Sequence, residues 1–306
     1  MIADARLVGT VLSGNIDDYP DGIIMPIDKP YRWTSADVVR KIKWAACHHF
    51  GKKNLKVGHA GTLDPLATGV LLVCIGKATR LAESLQKEGK EYVAGISFGA
   101  TTPSYDLEKA VDRLYPTDNV NEGSILNVLP GFLGEQDQVA PLFSAKSVDG
   151  VRAYELARKQ FRERGLAKTE VIEDFDHTVA ETLNVQRINI YELELLSLRQ
   201  AQGPAGSAAN AGRTQPQRSE DGLGRYLTAS RPNPRINVAD ISGLDLVQAE
   251  IRIACSKGTY IRALARDLGE ALGSGAFLHS LRRTKSGGFD AETALKISEA
   301  MDLLAI

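Results

Sequence analysis

Within the 306-residue chain, the stretch best equipped for chemistry is Gly58-His59-Ala60-Gly61-Thr62-Leu63-Asp64-Pro65-Leu66-Ala67-Thr68-Gly69. It gathers a carboxylate, an imidazole and glycines. A carboxylate held at a fixed place serves as a nucleophile, as a base or as the partner of a cation. Glycines free the backbone to turn or to lie against a ligand, and Pro65 excludes the α region for the residue before it. Asp64 is therefore expected to be extended and not helical. Taken alone, Asp64-Pro65 reads sooner as a turn initiator.

The elements that must position this loop are legible around it. Val70-Leu71-Leu72-Val73-Cys74-Ile75 is a buried strand, so the loop is anchored on stiff backbone, where reactive groups tend to be displayed. Gly22 to Asp28 reads as a short strand with Pro26 marking an edge or bulge. Thr34-Ser35-Ala36-Asp37 has capping-box spacing, and Val38, Val39, Ile42, Ala45, Ala46 and Phe50 then recur at helical intervals with a basic outer face. A helix is expected over Ala78 to Gln86. Glu91 to Gly99 alternates as a strand with Tyr92, Ala94, Ile96 and Phe98 on one side. Thr101 to Asp106 is turn chemistry, and Ile125 to Phe132 predicts a short helix. A basic helix with a thin apolar stripe is expected from about Val151 to Arg164.

Val185 to Leu198 and Leu244 to Cys255 read as neighbouring strands. Between them, 202–237 is rich in Gly, Pro, Ser and Gln and lacks apolar period, which marks a solvated insertion. Thr259 is expected to cap a helix with Ile261, Leu264, Ala265, Leu268 and Leu272 inside and Gly273 as its stop. A last strand and a helix at about 297–304 end the chain. With no GxGxxG or P-loop motif, the class is α+β around a mostly antiparallel, mixed sheet flanked by helices.

The formal net charge of −1 does not announce a nucleic-acid binder. Local charge says more. Lys29 to Lys56, Lys146 to Lys168 and Arg252 to Lys285 are basic segments that could form one anion-binding face. The three cysteines are widely spaced, without a CxxC pair, which argues against disulfides or zinc and for a reducing compartment, the cytoplasm by default. No stretch resembles a signal peptide or a membrane span.

Several passages then match one pattern. These are Asp28-Lys29-Pro30 with Thr34-Ser35, the loop Gly58 to Gly69, Lys90-Glu91-Tyr92, Phe143-Ser144-Ala145-Lys146 with Ala153 to Arg158, Ser256-Lys257-Gly258-Thr259-Tyr260-Ile261-Arg262, and Leu281-Arg282-Arg283. In this order and spacing the chain resembles the TruB family of tRNA pseudouridine synthases. The resemblance implies a pseudouridine-synthase-like fold and conversion of uridine 55 in the tRNA T loop to pseudouridine, without cofactor or metal, by a monomer whose partner is tRNA. It implies Asp64 as the catalytic carboxylate, attacking or deprotonating the ribose, with Arg262 as its cation and Tyr92 stacking on the target base.

It further implies His59 as a brace for the opened RNA loop and Tyr260 and Leu281 as walls of the base pocket. Lys29, Lys146, Lys257, Arg282 and Arg283 would be phosphate contacts. Without the resemblance, Tyr92 reads as a core tyrosine and Arg262 as a surface arginine, although an arginine in a helix's first turn opposes the macrodipole and so suggests a carboxylate partner. The expected organisation is an irregular lead-in, 1–21, and a single catalytic domain, 22–306, with the insertion at 202–237 and a mobile RNA-binding arm at about 140–168. Two departures stand out. Tyr31-Arg32-Trp33 replaces a turn where the family commonly has glycine, and a C-terminal PUA domain has no counterpart before Ile306. The alternative function is a tRNA-folding chaperone of the same fold, with isomerisation secondary or absent.

Overall fold

The computed structural model describes residues 1–141, 147–148, 151–152, 185–201 and 233–305. In chain order the elements are β1 (Ile23–Lys29), α1 (Ser35–His49), β2 (Val57–Ala60), β3 (Ala67–Ile75), α2 (Ala82–Lys87), β4 (Lys90–Phe98), β5 (Ala100–Thr101), β6 (Arg113–Leu114) and α3 (Glu122–Val128). There follow β7 (Gly134–Val139), β8 (Ser147–Val148), β9 (Val151–Arg152), β10 (Val185–Arg199), β11 (Val247–Cys255), α4 (Ile261–Ala271), β12 (Ala276–Ser286), β13 (Phe289–Asp290) and α5 (Ile297–Leu303). Two units divide them. One comprises Met1–Tyr92, Arg213–Ile236 and Leu281–Ile306, the other Val93–Gly212 and Asn237–Ser280.

The first unit is built on β3, whose residues Val70 to Ile75 are all fully buried, as the apolar run predicts. Along one side β3 pairs antiparallel with β1, from Ile23 opposite Ile75 to Lys29 opposite Gly69. Its other side changes partner midway: Ala67 to Gly69 pair parallel with Leu281 to Arg283 of β12, and Leu72 to Ile75 pair antiparallel with β2. β13 pairs antiparallel with β12, so parallel and antiparallel pairings meet here and the sheet is mixed. Helix α1 starts at the expected capping box, with Thr34 and Asp37 exchanging side-chain and backbone bonds, and buries Val38, Ile42, Ala45 and Ala46. The lead-in holds two 3₁₀ turns, Ala5–Leu7 and Ile16–Asp18, and a parallel bridge from Ile2 to Ile24, and it is docked. Ala3, Leu12 and Ile16 are buried, and the Ala3 amide donates to the Ile24 carbonyl at 2.8 Å.

In the second unit β10 and β11 are antiparallel neighbours, as their alternation predicts, and β7 covers the first part of β10. Helix α4 buries Ile261, Leu264, Ala265 and Leu268 and is followed by Gly273 at φ 65°. Its cap differs from expectation. Tyr260 occupies the N-cap position, whereas the Thr259 hydroxyl donates to the Ser256 carbonyl at 3.0 Å.

Of the basic helix expected from Val151, the described Val151 and Arg152 form a strand against Ser147 and Val148; the rest of the arm lies outside the described residues. The expected insertion ends earlier than 237. Ile236 is 8% exposed, the Asn233 amide donates to the Arg32 carbonyl at 2.9 Å, Asn233 Nδ2 donates to Asp37 at 2.9 Å, and an Arg32 Nη donates to the Ile236 carbonyl at 2.8 Å. Arg32 itself holds φ 60°, the left-handed conformation for which glycine is the usual residue. Its guanidinium therefore has work that a glycine could not do.

Candidate active site

Asp64 lies in neither helix nor strand and is half-buried. The loop around it is tied on several sides within the first unit. From α1, the Ser35 hydroxyl donates to the Leu63 carbonyl at 3.1 Å and accepts from the Leu63 amide at 2.9 Å. The Arg32 amide donates to the Pro65 carbonyl and the Ala67 amide to the Asp64 carbonyl, at 3.0 and 3.1 Å. Gly69 closes the loop at φ 99°, its amide donating to Asp28 Oδ1 at 3.1 Å. A Cβ at Gly69 would fall against the Arg283 backbone, only 2.8 Å from its carbonyl carbon, so the close β3·β12 approach requires glycine. Backbone bonds fixed on both sides of Asp64 limit where its carboxylate can go, which suits a group that must meet a reacting atom.

The cations of this unit behave differently from the phosphate contacts expected of them. Lys29 is fully buried and donates to the carbonyls of Trp33, Pro30 and Pro65 at 2.6, 3.0 and 3.3 Å, so it faces the loop and not solvent. Burial pushes its amine down to about 7, against the opposing attraction of Asp64, while Arg283 pushes it further down. Arg283 is 1% exposed and sits where β3 changes partner: its Nε donates to the Val70 carbonyl at 2.7 Å and its Nη atoms approach the Gly61 and Thr62 carbonyls at 3.3 and 3.5 Å. Arg282 is partly exposed, but Asp28 accepts from both of its Nη atoms, at 3.0 and 2.9 Å. These three side chains hold the frame of the loop.

His59, on β2 opposite Val73, has a buried Nδ1 with no hydrogen-bond partner among the described residues. Burial, reinforced by the charge of Arg283, holds its pKa below the ordinary histidine value, which favours the neutral ring. Tyr92 is 8% exposed on β4, and Leu281 is half-buried beside the end of the loop, paired with Ala67.

Arg262 belongs to the second unit and is 4% exposed at the first turn of α4. An Nη donates to the Ser104 carbonyl at 3.1 Å, and Nε lies 3.8 Å from Asp106 Oδ2. Asp106 is in turn held by the Ser104 hydroxyl at 2.6 Å and the Glu108 amide at 2.9 Å. The sequence reading treats Asp106 only as turn chemistry. That covers its bond to Glu108 and misses its approach to Arg262. The intervening Tyr105 is strained at φ 57°, and the Arg266 guanidinium lies over its ring, 5.1 Å from the centroid. Tyr260 is fixed through its backbone, its amide donating to Gln138 Oε1 at 2.8 Å and its carbonyl accepting from Gln138 Nε2 at 3.1 Å. Lys257 is exposed, and Lys146 lies outside the described residues.

Comparison with known proteins identifies the family. A model of the TruB family pseudouridylate synthase N-terminal domain matches residues 48–186, and one of the tRNA pseudouridylate synthase B C-terminal domain matches residues 262–306. A tRNA pseudouridine synthase B of Phocaeicola vulgatus is 39% identical over 92% of this chain and 92% of its own. That of Bacteroides thetaiotaomicron is 41% identical over 91% of each chain, and that of Deinococcus radiodurans 35% over 90% of this chain and 77% of its own. Among solved structures, a Cbf5-Nop10-Gar1 complex superposes with a TM-score of 0.54 at 25% identity, over 94% of this chain and 56% of that one. An H/ACA RNP bound to a substrate RNA containing 2'-deoxyuridine gives 0.51 at 25% identity, over 92% of this chain and 53% of that one. With relatives this similar along nearly its whole length, the chain belongs to the TruB family of pseudouridylate synthases.

Proposed function

We propose that this protein isomerises uridine 55 in the T loop of tRNA to pseudouridine, in the cytoplasm, as a monomer with Asp64 as its catalytic carboxylate. The observation that carries the reading is the pinned Asp64 loop in a member of a pseudouridylate synthase family. In the reaction the bond from uracil N1 to the ribose C1′ breaks, the base turns, and a bond from C5 to the same carbon forms. The proton lost from C5 balances the one gained at N1. Asp64 acts on the ribose as nucleophile or as base, and Arg262 is the cation assigned to that carboxylate. Tyr92 stacks on the uracil, Tyr260 and Leu281 wall its pocket, and His59 braces the loop from which it is extruded.

Asp106 and Ser104 hold the Arg262 guanidinium in place, a positioning role that a flexible lysine could not fill. Incubation with a tRNA transcript, followed by chemical tagging of pseudouridine and mapping, tests the reading. The tag should appear at position 55 and vanish when that nucleotide is cytidine. Tagging elsewhere would overturn the assignment, and tRNA bound but never converted would support the folding-chaperone reading.

A further inference from the structure

We infer that the outer face of α1 carries a second RNA-binding site, separate from the nucleotide pocket, in which an unpaired base stacks on Trp44 while Arg40, Lys43 and Lys53 hold the adjoining phosphates. Trp44 is 55% exposed, an unusual position for the largest apolar side chain. Its ring is stacked on that of His48, centroids 5.8 Å apart and planes 20° from parallel, which extends the flat aromatic surface. The two rings border a shallow depression of about 400 Å³ lined also by Arg40, Lys43, Cys47 and Lys53, with no carboxylate in the lining among the described residues. Of the cations, Arg40 is held in place, and the backbone that carries Lys53 is tied to the helix. Asp37 holds an Arg40 Nη at 3.1 Å while leaving that side chain 46% exposed, and Cys47 Sγ contacts the Lys53 carbonyl at 3.7 Å, fixing the loop against the helix.

A π surface flanked by cations is the combination that binds single-stranded nucleic acid. Bases stack on the ring whatever their identity, and the cations take the phosphates. Charge complementarity therefore selects RNA over an apolar or basic partner. Position adds to the argument. Ser35, in the first turn of α1, bonds to Leu63 beside Asp64, and Trp44 lies nine residues further on, about 14 Å along the helix axis. An RNA strand with a nucleotide at Asp64 is long enough to reach it. The inference rests on the tRNA substrate proposed above.

The chain's only other tryptophan, Trp33, is 1% exposed, so acrylamide quenching of tryptophan emission reports chiefly on Trp44. Saturating tRNA should shield Trp44 from acrylamide. Trp44→Ala should weaken tRNA binding roughly 5- to 150-fold, the range for loss of one stacked base. Lys43→Gln with Lys53→Gln should lower the slope of log affinity against log salt by about two. Because these side chains are exposed, the variants should retain the wild-type melt. Pseudouridine formation by the wild-type protein is measured alongside. If it forms product while Trp44 stays as quenchable with tRNA as without, and Trp44→Ala binds normally, this inference fails and the proposed activity stands. If the wild-type protein neither binds nor converts tRNA, the functional reading fails with it.

Discussion

Replacing Lys29 by Met tests whether the amine beneath the Asp64 loop is the buried, weakened base that the structure describes. Lys29 has no exposed surface, and burial pushes its pKa from an ordinary 10.5 to about 7. Below pH 7 the amine is charged in both folded and unfolded chains, and the folded state bears the whole desolvation cost. Between 7 and 10.5 the unfolded chain keeps a proton that the folded one has released, so stability rises with pH by up to about 1.4 kcal/mol per unit. Integrated from pH 6 to pH 9, this one group adds about 2–3 kcal/mol to the stability of the wild-type protein.

Met has similar length and no charge, so Lys29→Met lacks that dependence. The neutral amine keeps two of its three N–H donors, so the loss of bonding to Pro30, Trp33 and Pro65 is present in large part at both pH values and mostly cancels in the comparison. Urea unfolding at pH 6 and pH 9 should show the free-energy gap between wild type and variant moving in favour of the wild type by about 2–3 kcal/mol. A gap that is the same at both pH values, within about 0.5 kcal/mol, would refute the weakened amine.

Four further outcomes follow from the geometry. Arg262→Lys should cut turnover on tRNA by about 100-fold or more, because a point charge cannot span Ser104 and Asp106 in the way a planar fork does; single-turnover kinetics near wild type would contradict this. Gly69→Ala should cost roughly 3–5 kcal/mol, visible as a lowered urea midpoint, since it combines a left-handed φ with a collision against the β12 backbone; a loss under about 1 kcal/mol would mean the two strands can separate freely. Replacing 202–232 by a short Gly-Ser linker should keep a cooperative melt. Asn233→Ala should by itself cost about 1–2 kcal/mol through lost bonding to Asp37, and an unchanged melt would show that this root is not a structural tie.

What could be read from the sequence is what local rules determine. The six-residue apolar run of β3, the alternation of β4, β10 and β11, and the Thr34 capping box depend on neighbours a few residues away, and each element formed where the pattern put it. Lys29, Arg282 and Arg283 show the limit. As sequence they are a basic population facing solvent; in the fold they bond to carbonyls and to Asp28, in some cases more than 200 residues distant along the chain. Charge alone does not reveal such partners. Asp106 is a similar case, an ordinary turn residue until α4 brings Arg262 beside it. The lead-in was legible as irregular, but its docking was not, because Ala3, Leu12 and Ile16 are buried singly and leave no period to detect.

The central claim is that a single carboxylate, Asp64, performs the isomerisation. The most direct test is the mass of a T-arm RNA after pseudouridine-specific tagging, following incubation with wild-type protein or with Asp64→Asn. The wild type should yield one tagged pseudouridine per RNA, and Asp64→Asn should bind the same RNA with similar affinity and yield none. Substantial tagged product from Asp64→Asn would contradict the account.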